Sequence, residues 1–268
     1  MVKKLIKHEW IALLRKMIQI WAVVLGVSVI TRLVYLVADD SVGADILCGS
    51  SAVLYVLALL VCLVLTAVNL IVRFYKNMFT AEGYLTLTLP ATQTQHLLAK
   101  GISAFSIVLC STVVCILSVG VVTFGDLAVE IFKAADYLLR GIQTTLGSDL
   151  TLFVIEGILF LIFYAIMEIY FFYMIMSLGQ LAKKNRVAAS VGIYFLFYFG
   201  FQFLATIFTI IFSTTPFVTI GIFDGPEEIS PIPIVHTVAV VLIAGCCVLT
   251  VVWFLISRHV LTKKLNLE

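Results

Sequence analysis

The sequence predicts an all-α polytopic membrane protein, with six transmembrane helices and both termini cytoplasmic. Three observations carry that expectation. The residues are 62% hydrophobic and only 12% charged, with mean hydropathy +1.16, a balance that no soluble domain keeps. Six apolar runs, at about 18–37, 51–72, 102–124, 152–178, 187–212 and 235–256, are long enough for the roughly 20 helical residues that cross about 30 Å of hydrocarbon. Strict alternation is missing from these runs, and they are about twice as long as barrel strands need, which excludes a β-barrel reading. The third observation is the placing of the bases. With both ends inside, the cytoplasmic side holds Lys3, Lys4, Lys7, Arg15, Lys16, Arg73, Lys76, Lys100, Lys183, Lys184, Arg186, Arg258, Lys263 and Lys264, fourteen of the 17 lysines and arginines. The net charge of +2 sums two opposed faces and gives no argument for nucleic-acid binding.

The chain opens with an amphipathic basic segment, 2–17. Val2, Leu5, Ile6, Trp10, Leu13, Leu14 and Met17 form one stripe, with Lys3, Lys4, Lys7, His8, Arg15 and Lys16 off it. This predicts an interfacial helix lying along the inner leaflet. The alternative is a basic flank that only sets topology. No small-residue cleavage site follows a short apolar core, so a cleaved signal peptide is not expected. Within the first span, Ala22 and Gly26 make a small-xxx-small step, repeated by Ala188 and Gly192 at the start of the fifth, and such steps let helices approach closely, within one subunit or between two.

Between the second and third spans lies a polar region, 73–100. Arg73 to Ala81 can continue the preceding helix, with Phe74 and Met78, and Tyr75 and Phe79, each four apart. Gly83 is expected to stop it in the left-handed conformation. Tyr84 to Leu89 alternates as an extended segment does, and Pro90 ends that. Thr92 with Gln95 three residues on is a capping-box pattern, so a helix starts there and runs through Lys100 into the third span. This succession is too well specified for a tether and reads as a handle for a soluble partner.

Beyond the third span, 126–149 spaces apolar residues at 127, 128, 131, 132, 135, 138, 139 and 142, as an amphipathic helix on the outer face would. The fourth span carries Glu156 and Glu168, about 18 Å apart along the helix. An ionised carboxylate at that depth must face a cavity, pair with a base or be protonated, and Arg32 in the first span is the expected partner of Glu156. Structural hydrogen bonding between helices is the alternative for both glutamates, and Asn69 and Gln202 are expected to bond between helices. Pro216, Asp224-Gly225-Pro226, Pro231 and Pro233 mark an irregular outer loop before the sixth span.

Catalytic and metal-binding signals are absent from the sequence. All but one of the cysteines at 48, 62, 110, 115, 246 and 247 fall inside the spans and read as packing residues, and no histidine interleaves with them at zinc spacing. His8, His96, His236 and His259 are scattered and expected near solvated interfaces. The sequence contains no phosphate-cradling G-x-x-x-x-G-K-[ST] loop, no G-x-S-x-G elbow and no H-E-x-x-H pair, so no enzyme is expected of this chain.

The basic start VKKLIKHEWIALLRK, the six spans and above all FTAEGYLTLTLPATQTQHLLAKGISA after the second resemble the permease subunits of type-2 ABC exporters, particularly the small six-helix ones of Gram-positive bacteria. The E-G-Y-L-x-x-T-L-P element is the specific part. What the resemblance implies is a coupling helix at Arg73–Gly83 that docks on a separate ATPase dimer, with Phe74, Tyr75, Met78 and Phe79 giving apolar contact and Arg73, Lys76 and Glu82 the rim, followed by Tyr84. It also implies a second permease, identical or homologous, and a pathway between the two lined largely by first, second and fifth helices. ATP and magnesium would then be held by the partner and no cofactor by this chain. The outward cargo would be an amphipathic peptide, drug-like molecule or lipid, moved across the cell membrane. The proline-broken loop at Pro226, Pro231 and Pro233 departs from that family's outer hairpin. Two other readings stay open: a non-transporting immunity or sensory module, and an ion-coupled carrier using Glu168.

Overall fold

The structure is a computed structural model that describes residues 2–38, 42–80, 83, 92–146, 149–182, 185–214 and 232–263. Seven helices are found among them: α1 Val2–Val37, α2 Val42–Phe79, α3 Gln93–Thr123, α4 Asp126–Leu146, α5 Leu150–Gly179, α6 Arg186–Thr214 and α7 Ile232–Lys263. All but α4 are long and apolar enough to cross a membrane, and no strand occurs among the described residues. The chain divides into two compact units, Met1–Thr145 and Leu146–Glu268.

In the first unit α1 packs along α3 and against α2, and α2 touches α3. The 36 residues of α1 run as a single helix, so 2–17 is not a separate element set across the first span. Its apolar stripe is inside all the same: Leu13 and Met17 are buried, Leu5, Ile6, Trp10 and Leu14 half-buried, and Lys3, Lys4, Lys7, His8, Arg15 and Lys16 exposed. The protein's own helices therefore cover a face expected to meet lipid.

Small hydroxyl residues make helix contacts within this unit. Ala22 and Gly26 are exposed, and a side chain at Gly26 would meet nothing. Ser103, Ser111 and Ser118 form a buried line down α3. Ser103 donates to the Ile6 carbonyl at 3.2 Å, Trp21 donates to Ser111 at 3.0 Å, and Tyr55 and Ser118 share a hydrogen bond of 2.9 Å. Serine lets backbones approach and also satisfies polar atoms that hydrocarbon would leave bare.

The α3–α4 turn is fixed by Gly125, whose φ of 102° is left-handed. The nearest atom to a Cβ there would be an Arg32 guanidinium nitrogen, the movable end of a flexible side chain, so it is the backbone that calls for glycine. Helix α4 is present as expected, and its described apolar side chains Val129, Phe132 and Leu138 are exposed.

The second unit is built on α5, which packs against α7 and α6. Its centre is aromatic: the Phe171 ring lies 5.7 Å from Trp253, 6.0 Å from Phe197 and 6.3 Å from Tyr194. Gly179 at the end of α5 sits against Ser190 of α6, whose Cα would lie 2.9 Å from an added Cβ. Ala188 and Gly192 are both exposed in the single chain. Asn185, at φ 55°, turns the chain into α6, a conformation asparagine tolerates. Of the loop prolines only Pro233 is described, in the first turn of α7, where its missing N–H is harmless. Pro216, Pro226 and Pro231 lie outside the described residues.

Candidate functional site

At one end of the first unit the start of α1, the end of α2 and the start of α3 meet around one carboxylate. Glu9 lies on the buried side of α1, between Ile6 and Leu13, with its side chain 13% exposed. Lys100 Nζ donates to Glu9 Oε1 at 2.5 Å, Asn77 Nδ2 donates to the same oxygen at 2.8 Å, and Arg73 Nε donates to Oε2 at 3.1 Å. Lys100 is almost fully buried, and Arg73 is about one-third exposed. Two bases, one amide and one acid thus join three helices.

Each donor is placed by its own helix. Arg73 and Asn77 are four apart and project together from the last two turns of α2. Lys100 depends on where α3 begins, and that start is fixed by the capping box. Thr92 Oγ1 accepts from the Gln95 N–H at 3.3 Å, while the Gln95 side chain accepts from the Thr92 N–H at 3.2 Å. Taking charges out of water is expensive, so a cluster of this kind persists only where each partner is satisfied by the others.

The residues singled out for partner contact around the end of α2 divide. Phe74, Met78 and Phe79 are buried in the unit, with the Phe74 and Phe79 rings 5.7 Å apart. Tyr75 is half-buried against Phe79 at 6.0 Å, and Lys76 is exposed. Glu82 and Tyr84, with the alternating segment and Pro90, lie outside the described residues. Gly83 is described and buried, and it is needed for close approach: an added Cβ would lie 2.8 Å from the Met78 carbonyl carbon and oxygen. Gly125 is the only left-handed glycine among the described residues.

Of the polar residues expected at membrane depth, Glu156 places its Oε2 2.8 Å from His236 Nδ1 on α7. Arg32 lies against Gly125 within the first unit. The Glu156–His236 pair is mostly buried, with side-chain exposures of 10% for Glu156 and 19% for His236. Asn69 is half-buried and donates to the Leu65 carbonyl of its own helix, so this bond lies within α2 rather than between helices. Gln202 is exposed. Glu168 is half-buried, one turn after Tyr164. His96 is also buried, where a solvated ring had been expected.

Sequence reading missed Glu9, Asn77 and His236. For Glu9 a signal exists, since it is the sole acid in a basic segment and falls on the apolar side. Asn77 shares the helical side of Arg73 and Phe74. His236 offers none, because Glu156 is 80 residues away and helix order alone does not bring the two together. No family model matches the chain, and no curated protein and no solved structure matches it.

Proposed function

We propose that this chain is the membrane-spanning permease subunit of an ATP-driven type-2 ABC exporter in the cell membrane, with both termini cytoplasmic. It pairs with a second permease and with an ATPase dimer that binds ATP and magnesium, and it moves an amphipathic substrate outward. One observation supports this above the others. The Glu9 cluster ties the N-terminal helix and the start of α3 to the helix end that precedes the E-G-Y-L element. A push on that end is transmitted to three long apolar helices at once. A rigid junction of this kind suits a mechanical input, in which ATP acts only through differential contacts at the cytoplasmic face.

With Phe74, Met78 and Phe79 inside the unit, the docking contact falls to the exposed side of the helix end, to Lys76 and the edge of Tyr75. The test is co-purification of the tagged protein in mild detergent. The wild-type chain is expected to bring down an ATPase subunit, and Lys76→Glu to lose it with an unchanged melting temperature. Wild-type protein emerging alone, or with a partner indifferent to Lys76, sinks the exporter reading and favours the non-transporting module.

A further inference from the structure

We propose that the Glu168 carboxylate, with the rings around it, forms a binding site for an apolar organic cation. Glu168 lies well inside α5, and helical spacing sets Tyr164 one turn before it and Phe172 one turn after, on the same side. From α6, Tyr194 stacks on Phe172 at 5.9 Å with the ring planes 10° apart, and Tyr198 continues the stack at 6.3 Å. Helix α6 thus brings two further rings to the side of α5 that carries Glu168.

Charge decides what fits. The four salt bridges among the described residues all lie elsewhere, so no lysine, arginine or histidine is seen to neutralise Glu168. An unpaired carboxylate at membrane depth is costly, and such residues mark ligand or ion pathways by default. Tyrosine and phenylalanine faces are electron-rich and attract a cation, most strongly when it has shed its water. A carboxylate one turn from both Tyr164 and Phe172, with Tyr194 and Tyr198 stacked on from Phe172, matches a positive centre with apolar substituents. Access exists, since Tyr164 is 43% and Tyr198 is 52% exposed. The inference deepens the exporter reading by naming a substrate class, and it rests on that reading only for the idea that a bound cation is moved.

The probe is radiolabelled tetraphenylphosphonium, measured on the full chain in uncharged dodecylmaltoside micelles. Tetraphenylborate serves as the anion of the same shape. Wild type is expected to bind the cation saturably and the anion not at all. Glu168→Gln should weaken cation binding at least about tenfold, and Tyr194→Leu about threefold to tenfold, as loss of a desolvated cation–π face implies. Glu168→Asp, which keeps the charge, should retain measurable binding. Equal cation binding by wild type and Glu168→Gln, equal binding of cation and anion, or no saturable binding each overturns the site. If Glu168→Gln fails to fold, Tyr194→Leu and Tyr198→Leu decide with the carboxylate intact, and unchanged binding in both is the overturning result. No ATPase enters this measurement. Failure of partner capture therefore leaves the cation site standing, and failure to bind the cation leaves the exporter reading standing.

Discussion

Glu9 sits where a leucine would be ordinary, on the packed side of a helix whose solvent side is basic. Its value as a junction depends on the bases it holds, and that makes it testable by pairs. Replacing a buried charged partner strands the others, at about 3–5 kcal/mol. Glu9→Ala and Lys100→Met should each lower the unfolding free energy in mixed micelles by an amount of that order. The double variant should lose clearly less than their sum, because contacting residues couple by roughly 0.5–3 kcal/mol. Strict additivity would show that the two side chains contribute separately and that the junction is no unit. Asp136 and Arg140 on α4 give the contrast: they are 2.7 Å apart but 59% and 75% exposed, and an exposed pair of this kind adds little.

At the scale of elements, the start of α3 carries the most specific local instruction in the chain. Thr92 is exposed, and both reciprocal bonds of its capping box are formed, so its contribution is free of burial effects. Thr92→Ala should lower stability by about 1 kcal/mol, and Thr92→Asn should restore most of it, as read by unfolding in the same micelles. A loss in both variants equal to that of Glu9→Ala would mean that the cap acts by placing Lys100 rather than by satisfying N–H groups. This start was legible because a cap is a local motif, with donor and acceptor three residues apart. The seven helices were legible for a similar reason, since length and apolar character are properties of one segment. Two things were not legible. The sequence does not say that α1 runs unbroken through Met17, because an amphipathic stripe reads alike whether lipid or another helix covers it. Nor does it say that serines line the α3 contacts within the unit, because a small residue permits close approach without requiring it. The Glu9 cluster and the Glu156–His236 pair were hidden further, since each depends on which helices become neighbours.

At the scale of the whole molecule, the apolar surface is the dominant fact. Val23, Leu36, Leu57, Leu60, Leu161, Leu196, Phe203 and Val241 are each at least half exposed, which a bilayer solvates and water does not. Which way the chain crosses that bilayer is then a question of charge alone. Fourteen bases gather on one side under the proposed topology, among them Lys76. Tyr137 of α4 falls on the other side, exposed at 79%. A membrane-impermeant maleimide applied to intact cells separates the two orientations. In a chain whose six native cysteines are replaced by serine or alanine, Tyr137→Cys should be labelled from outside, and Lys76→Cys only after the membrane is opened. The reverse pattern would place the Glu9 junction and the E-G-Y-L segment outside the cell, beyond the reach of any ATPase. Such a result would end the exporter reading even if the fold and the cation site both stood. Orientation thus bears on function more directly than any single side chain, because the proposed input can act only on the face that meets ATP.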